Sequence, residues 1–104
     1  LTFDDGPNTD TTPLVLDKLE EHGIVASFFV IGNNITDESA EVMKRAYNMG
    51  CDIENHSQSH PDMTKMTAEE IKAEIDFTSD KVEEAVWGRL LANVHSFSVR
   101  HILR

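Results

Sequence analysis

Four side chains define the chemistry open to this sequence. Asp4 and Asp5 stand side by side in TFDDGP (residues 2–7), and His56 and His60 stand four apart in HSQSH (residues 56–60). Neighbouring carboxylates repel, so a pair of them ahead of a Gly-Pro turn asks for a cation. Two imidazoles at i and i+4 share one side of a helical turn and can chelate one metal ion. Adding one carboxylate gives a His-His-Asp set, three protein ligands with a position left for water, as catalytic zinc is held. The other carboxylate then stays free to take a proton as general base when water attacks a carbonyl. Either half alone is commonplace, since DDG is ordinary turn sequence and HxxxH recurs by chance. Together, at equivalent places in the fold, they point to a metal site.

The elements between them decide whether they meet. LTF (residues 1–3) reads as the end of a strand closed by Asp4 and Asp5 and entering the Gly6-Pro7 turn. TTPLVLDKLEEHG predicts a helix with Thr12 as N-cap, Pro13 at the first helical position and Gly23 as terminator. Val15, Leu16 and Leu19 form its buried stripe. IVASFFVIG (residues 24–32) is a continuous apolar run, the pattern of a strand covered on both faces. A second helix starts at Thr36 or Asp37, carries Val42, Met43 and Ala46 inward, and stops at Gly50. CDIEN (residues 51–55) is a short third strand, and Cys51 at its start reads as a small core hydrophobe. Thr67 to Glu70 has capping-box spacing, opening a third helix with Ile71, Ile75, Thr78, Val82 and Ala85 on one face. The order β-α-β-α-β-loop-α implies parallel strands with right-handed crossovers, an α/β fold. Such folds place their sites at the C-terminal ends of strands, where both polar clusters fall.

TFDDGP followed by HSQSH, with ASFFVIG and GCDIENHSQSH around and between them, resembles the first two motifs of the polysaccharide deacetylase family. These are the carbohydrate esterases of family 4, also known by their nodulation-protein-B homology domain. The resemblance covers about residues 1 to 84. It implies a partial distorted (β/α) barrel, about its first three β/α units, and metal-dependent removal of acetyl groups from polysaccharide. By the same resemblance Asp5, His56 and His60 are the metal ligands and Asp4 is the general base. The ion is zinc, with cobalt or another divalent ion as alternatives. Ser57 and Ser59 hydrogen-bond around the ligands or satisfy a turn. The partner is an acetylated polysaccharide or oligosaccharide, chitin-like, peptidoglycan or acetylxylan, and the location is extracellular or at the cell wall.

The chain departs from the family after Glu84. The Arg-x-Pro-Tyr, Asp/Trp and Leu-x-His motifs that follow in the family are absent, and Trp87, Arg89, His95 and His101 offer the residue types in the wrong context. All 19 acidic residues lie between Asp4 and Glu84, while WGRLLANVHSFSVRHILR (residues 87–104) holds Arg89, Arg100 and Arg104 and no acid. This places a boundary near Trp87. Residues 1–86 are expected to be the N-terminal part of a deacetylase domain, and 87–104 an atypical basic tail, possible out-of-frame sequence. With no initiator Met, the native domain is expected to begin before Leu1. Such a piece is expected to have little or no activity alone. The alternative is a non-catalytic metal- or carbohydrate-binding remnant, or a half-domain that needs a partner chain.

Composition agrees with one small domain. The 104 residues carry a formal net charge of −10 and 39% hydrophobic residues. That charge excludes nucleic acid and anionic membrane surfaces as partners, both of which need a basic footprint. No apolar run approaches a membrane span, and the one cysteine forms no internal disulfide. Oligomeric state is not legible.

Overall fold

The structure, a computed structural model, describes residues 1–86. The expected tail, with Trp87, Arg89, His95 and His101, lies outside the described residues. Three parallel strands, β1 (Thr2–Gly6), β2 (Ser27–Val30) and β3 (Asp52–Asn55), form a sheet in the order β1-β2-β3. Helices α1 (Thr11–His22), α2 (Asp37–Asn48) and α3 (Ala68–Val86) follow them in turn, so the α/β architecture expected from the sequence is the one present. Single 3-10 turns follow β2 (Gly32–Asn34) and precede α3 (Met63–Lys65).

The register explains which face is buried. Phe3, Phe28 and Ile53 are aligned across the three strands, and Asp4, Phe29 and Glu54 form the next row, on the opposite face. Phe3 and Phe28 stack with ring centroids 5.3 Å apart. The first row packs into one core with Leu16 and Leu19 of α1, Met43 and Ala46 of α2, and Val82 and Val86 of α3. Cys51 is buried in the same core. In β2 buried and half-buried residues alternate. The strand is also shorter than its apolar run. Ile24 and Val25 are about half exposed in the turn after α1, and Ile31 leads into the 3-10 turn. Leu1 and Leu14 add further exposed apolar surface near the β1 edge.

Capping corrects one helix start and bears out the other two. Helix α1 begins at Thr11, with Asp10 rather than Thr12 at the N-cap and no side-chain bond from it. Asn8 supplies what the cap lacks: its Oδ1 accepts from the amides of Asp10 and Thr11 at 2.7 and 2.9 Å, an Asx turn. Thr12 Oγ1 instead accepts from the Asn8 amide. Thr36 caps α2 reciprocally with Ser39, and Thr67 and Glu70 form the expected capping box of α3. Gly23 ends α1 in the left-handed conformation.

Helix α3 reaches the sheet end through Gly32. A Cβ at this position would meet the Thr78 hydroxyl and sit 2.9 Å from Phe77 Cδ1, while the Gly32 amide donates to the Ser57 carbonyl at 2.9 Å. The absent side chain lets α3 lie directly on the turn after β2. Gly32→Ala is expected to lower stability by about 1–3 kcal/mol, the usual cost of overpacking. Urea unfolding of both chains checks this; an unchanged midpoint would show that α3 need not approach so closely.

Candidate metal centre at the strand ends

Asp5 reaches the site by breaking the strand alternation. Asp4 pairs with Phe29 and Gly6 with Val30, so Asp5 is an extra residue, a bulge, with φ of 70°. An unbulged strand would turn Asp4 and Asp5 to opposite faces. The bulge redirects Asp5, and the Asn34 side-chain amide fixes it by donating to the Asp5 carbonyl at 2.8 Å. Asp4 makes no side-chain hydrogen bond or ion pair among the described residues.

The histidines arrive on a loop rather than on the helical turn that their spacing suggested. Residues 56–61 have no helical structure. Ser57 and His60 instead adopt left-handed backbone, at φ of 69° and 58°, a conformation that costs a non-glycine residue about 1 kcal/mol or more. Tertiary hydrogen bonds impose it. Asn55, the last residue of β3, accepts from the Ser57 amide at 2.9 Å, and its Nδ2 donates to the Ile75 carbonyl and Ser79 hydroxyl of α3 at 2.7 and 2.8 Å. Glu74 of α3 accepts from the amides of Gln58 and Ser59 at 2.7 and 2.9 Å and from the Ser59 hydroxyl at 2.7 Å. Ser57 Oγ accepts from the His60 amide at 3.1 Å. Ser57 thus closes the loop on itself, and Ser59 ties it to α3.

The result brings three of the four expected residues together. Asp5 Oδ1 lies 3.2 Å from His56 Nε2 and 3.8 Å from His60 Nε2, and one donor atom from each residue lies within 4.8 Å of the others. The imidazoles meet edge to face with centroids 4.9 Å apart, and Phe29 stands against His56. Donors about 2.0–2.1 Å from a tetrahedral zinc are about 3.3 Å from one another. One separation here is near that length and a second is 3.8 Å, so the donor set fits a small divalent cation in chemistry and approaches it in size. His56 is the more buried imidazole; Asp5 and His60 are open to solvent.

The sequence pattern of the polysaccharide deacetylases matches residues 1–95. The chain belongs to the polysaccharide deacetylase family. Among its family relatives is a bifunctional xylanase/deacetylase of Pseudobutyrivibrio xylanivorans, 46% identical over 83 residues, covering 80% of this chain and 14% of that protein. A second is a peptidoglycan-N-acetylglucosamine deacetylase of Bacillus cereus, 41% identical over 80 residues, covering 77% of this chain and 29% of that protein. The fold is similar to that of a family 4 acetyl xylan esterase of Clostridium thermocellum solved in complex with a cobalt ion. There the TM-score is 0.78 and the identity 37%, over 81% of this chain and 41% of that one. The chain therefore spans well under half the length of these deacetylase-family relatives.

Glu74 and Asn55 were not among the sequence candidates. Glu74 lies beside the α3 stripe, between Ile71 and Ile75, and only tertiary structure tells it from a solvated helix acid. Its carboxyl is held below the ordinary value, chiefly by the Ser59 hydroxyl; burial opposes this, and the Ser59 and Gln58 amides each add a smaller lowering. A carboxyl whose native pKa lies below its unfolded one stabilises the fold through its ionised form, which the native hydrogen bonds favour. Its contribution is therefore complete above the usual carboxylate range and is lost as pH falls through the lowered native value. Glu74→Gln is expected to cost roughly 1–2 kcal/mol near neutral pH, with the difference from wild type shrinking below about pH 4. Denaturant melts across pH check this, and a pH-independent difference would remove the carboxylate from the explanation.

Proposed function

We propose that this chain is the metal-holding part of a deacetylase that removes acetyl groups from polysaccharide. The observation that carries the reading is the division of labour between adjacent acids: Asp5 is turned onto both imidazoles, and Asp4 has no side-chain partner among the described residues. Asp5, His56 and His60 would hold one divalent cation, zinc or cobalt. When bound, the ion supplies Lewis acidity toward an acetyl carbonyl and the water that attacks it. Asp4 is the general base, taking the proton that the water gives up. Asn34 and Glu74 keep the Asp5 bulge and the histidine loop in register, so that the ligands are held without waiting for the ion to order them. The substrate is an acetylated glycan, N-acetylglucosamine-based or xylan. The family relatives named for xylan and for peptidoglycan support both, and action on a wall polymer would place the protein outside the cell. No helix among the described residues is long and apolar enough to cross a membrane.

Residues 1–86 are the N-terminal portion of that domain, and 87–104 a segment of different character. A second reading, a binding remnant or a half-domain completed by a partner chain, is favoured by one observation: among the described residues β1 and β3 are both unpaired sheet edges. Zinc titration by calorimetry of the wild type, His56→Ala and His60→Ala tests the ligands. Each variant is expected to bind at least about 100-fold more weakly, since changes one shell further out already cost about 10- to 100-fold; equal binding by all three would overturn the assignment. The zinc-loaded 104-residue chain is expected to release no measurable acetate from acetylated chitooligosaccharide or xylan. Turnover that Asp4→Ala abolishes would show instead that the chain is competent alone.

A further inference from the structure

Between the sheet and helices α1 and α2 the core holds a cavity of about 260 Å³. Phe3, Phe28 and Val30 line it from the strands, Val15 from α1, and Met43 and Ala46 from α2. Val30, Met43 and Ala46 are each 2% exposed, so the space lies within the packed layer and is not a dent in the surface. It is on the helix face of the sheet, the side of Phe3 and Phe28, whereas the row of Asp4 and Phe29 belongs to the opposite face. The segment from Asp4 to Asn8, which carries the Asp5 bulge, borders the cavity at the strand ends.

Protein cores are packed closely enough that voids larger than a water molecule are few, and an apolar void costs stability in proportion to its volume. Apolar cavities of about 150 Å³ take up benzene or xenon rather than water. The lining narrows the class of occupant further. No basic side chain lines the space, and Asp4 and Asp5 on its border oppose an anion. Phe3 and Phe28 are stacked with centroids 5.3 Å apart and planes 19° from parallel, and a further ring can pack against them in the same offset geometry. The polar groups, Asn8, Thr11 and Thr12, are confined to the α1 start, where the Asn8 amide already donates to the Thr12 hydroxyl. The walls ask for a neutral, apolar ring.

We propose that this cavity binds a small neutral aromatic molecule and that its occupancy is coupled to that of the metal centre. The coupling runs through one short segment. From Asp4 to Asn8 the segment borders the cavity, and the same segment presents Asp5 to His56 and His60. The Asn34 side chain holds the bulge from the loop side through the Asp5 carbonyl. An occupant of the cavity holds it from beneath, favouring the conformation that ligates. Linkage makes the effect reciprocal, so the metal tightens the ring by the factor that the ring tightens the metal. The coupling rests on the metal reading; the cavity site does not.

The test uses the full 104-residue chain with carbon-13 in its methionine and valine methyl groups, and benzene as the probe. The Met43 and Val30 methyls are expected to shift saturably as benzene is titrated, and that of Met63, outside the cavity, to stay in place. Unmoved Met43 and Val30 methyls overturn the site. Ala46→Leu extends one wall into the space. It is expected to keep or raise the urea midpoint, as cavity-filling changes do, and to bind benzene at least about 10-fold more weakly, the scale of a modest overpacking cost. A lowered midpoint would show that the wall has no room, and unchanged benzene binding that the probe sits elsewhere; either overturns the site. Zinc calorimetry with benzene saturating is expected to give about 5-fold tighter binding, the lower end of ordinary coupling, and an equal zinc affinity overturns the coupling. A wild type that takes up benzene but no zinc would overturn the metal reading and the coupling with it, while the cavity site stands.

Discussion

The grip of α3 on the loop after β3 is the constraint that the rest of the site depends on. Ser57 and His60 stand in left-handed backbone, which neither residue favours unaided. Asn55 and Glu74 hold them there through six hydrogen bonds that run between the loop, the end of β3 and α3. Glu74 can do so only because α3 lies close against the turn after β2, where Gly32 leaves room for it. The buried face of α3, with Thr78 and Val82 in it, therefore helps to place the loop that carries the two histidines.

The opposite side of the site is set by a local irregularity. Asp5 would point away from the histidines in a regular strand, and the bulge between Asp4 and Gly6 turns it toward them. One inserted residue thus separates two chemically identical neighbours into a group aimed at the imidazoles and a group with no partner among the described residues. The same bulge takes its brace from Asn34, 29 residues further along the chain. Sheet, bulge and loop form one connected frame.

Much of this was legible in the sequence because it rests on local pattern. Helical periodicity, the Thr67–Glu70 box, the Gly23 stop and the strand–helix alternation each depend on a few neighbouring residues, and each appears as read. The family motifs marked Asp4, Asp5, His56 and His60 without any geometry. What escaped depends on contacts distant in the chain. The i, i+4 spacing of the histidines suggested a helical turn because periodicity alone carries no information about Asn55 or Glu74. The run from Ile24 to Gly32 looked like one long strand because hydropathy does not register where hydrogen-bonded pairing stops, and Ile24 and Val25 lie before it. Helix α1 starts at Thr11 because Asn8, outside the helix, satisfies its first amides.

The two open sheet edges have a consequence for the isolated chain that is separate from catalysis. Among the described residues, β1 and β3 each have a strand on one side only, and exposed Leu1, Leu14, Ile24 and Val25 lie close to the β1 end of the sheet. Unpaired backbone amides and carbonyls next to exposed apolar side chains are a template for pairing between molecules. The net charge of −10 opposes that association through mutual repulsion, and salt screens the repulsion while leaving the apolar surface untouched. Colloidal behaviour of the chain is therefore governed by ionic strength: dispersed in dilute buffer, and drawn toward edge-to-edge aggregation as the salt concentration rises.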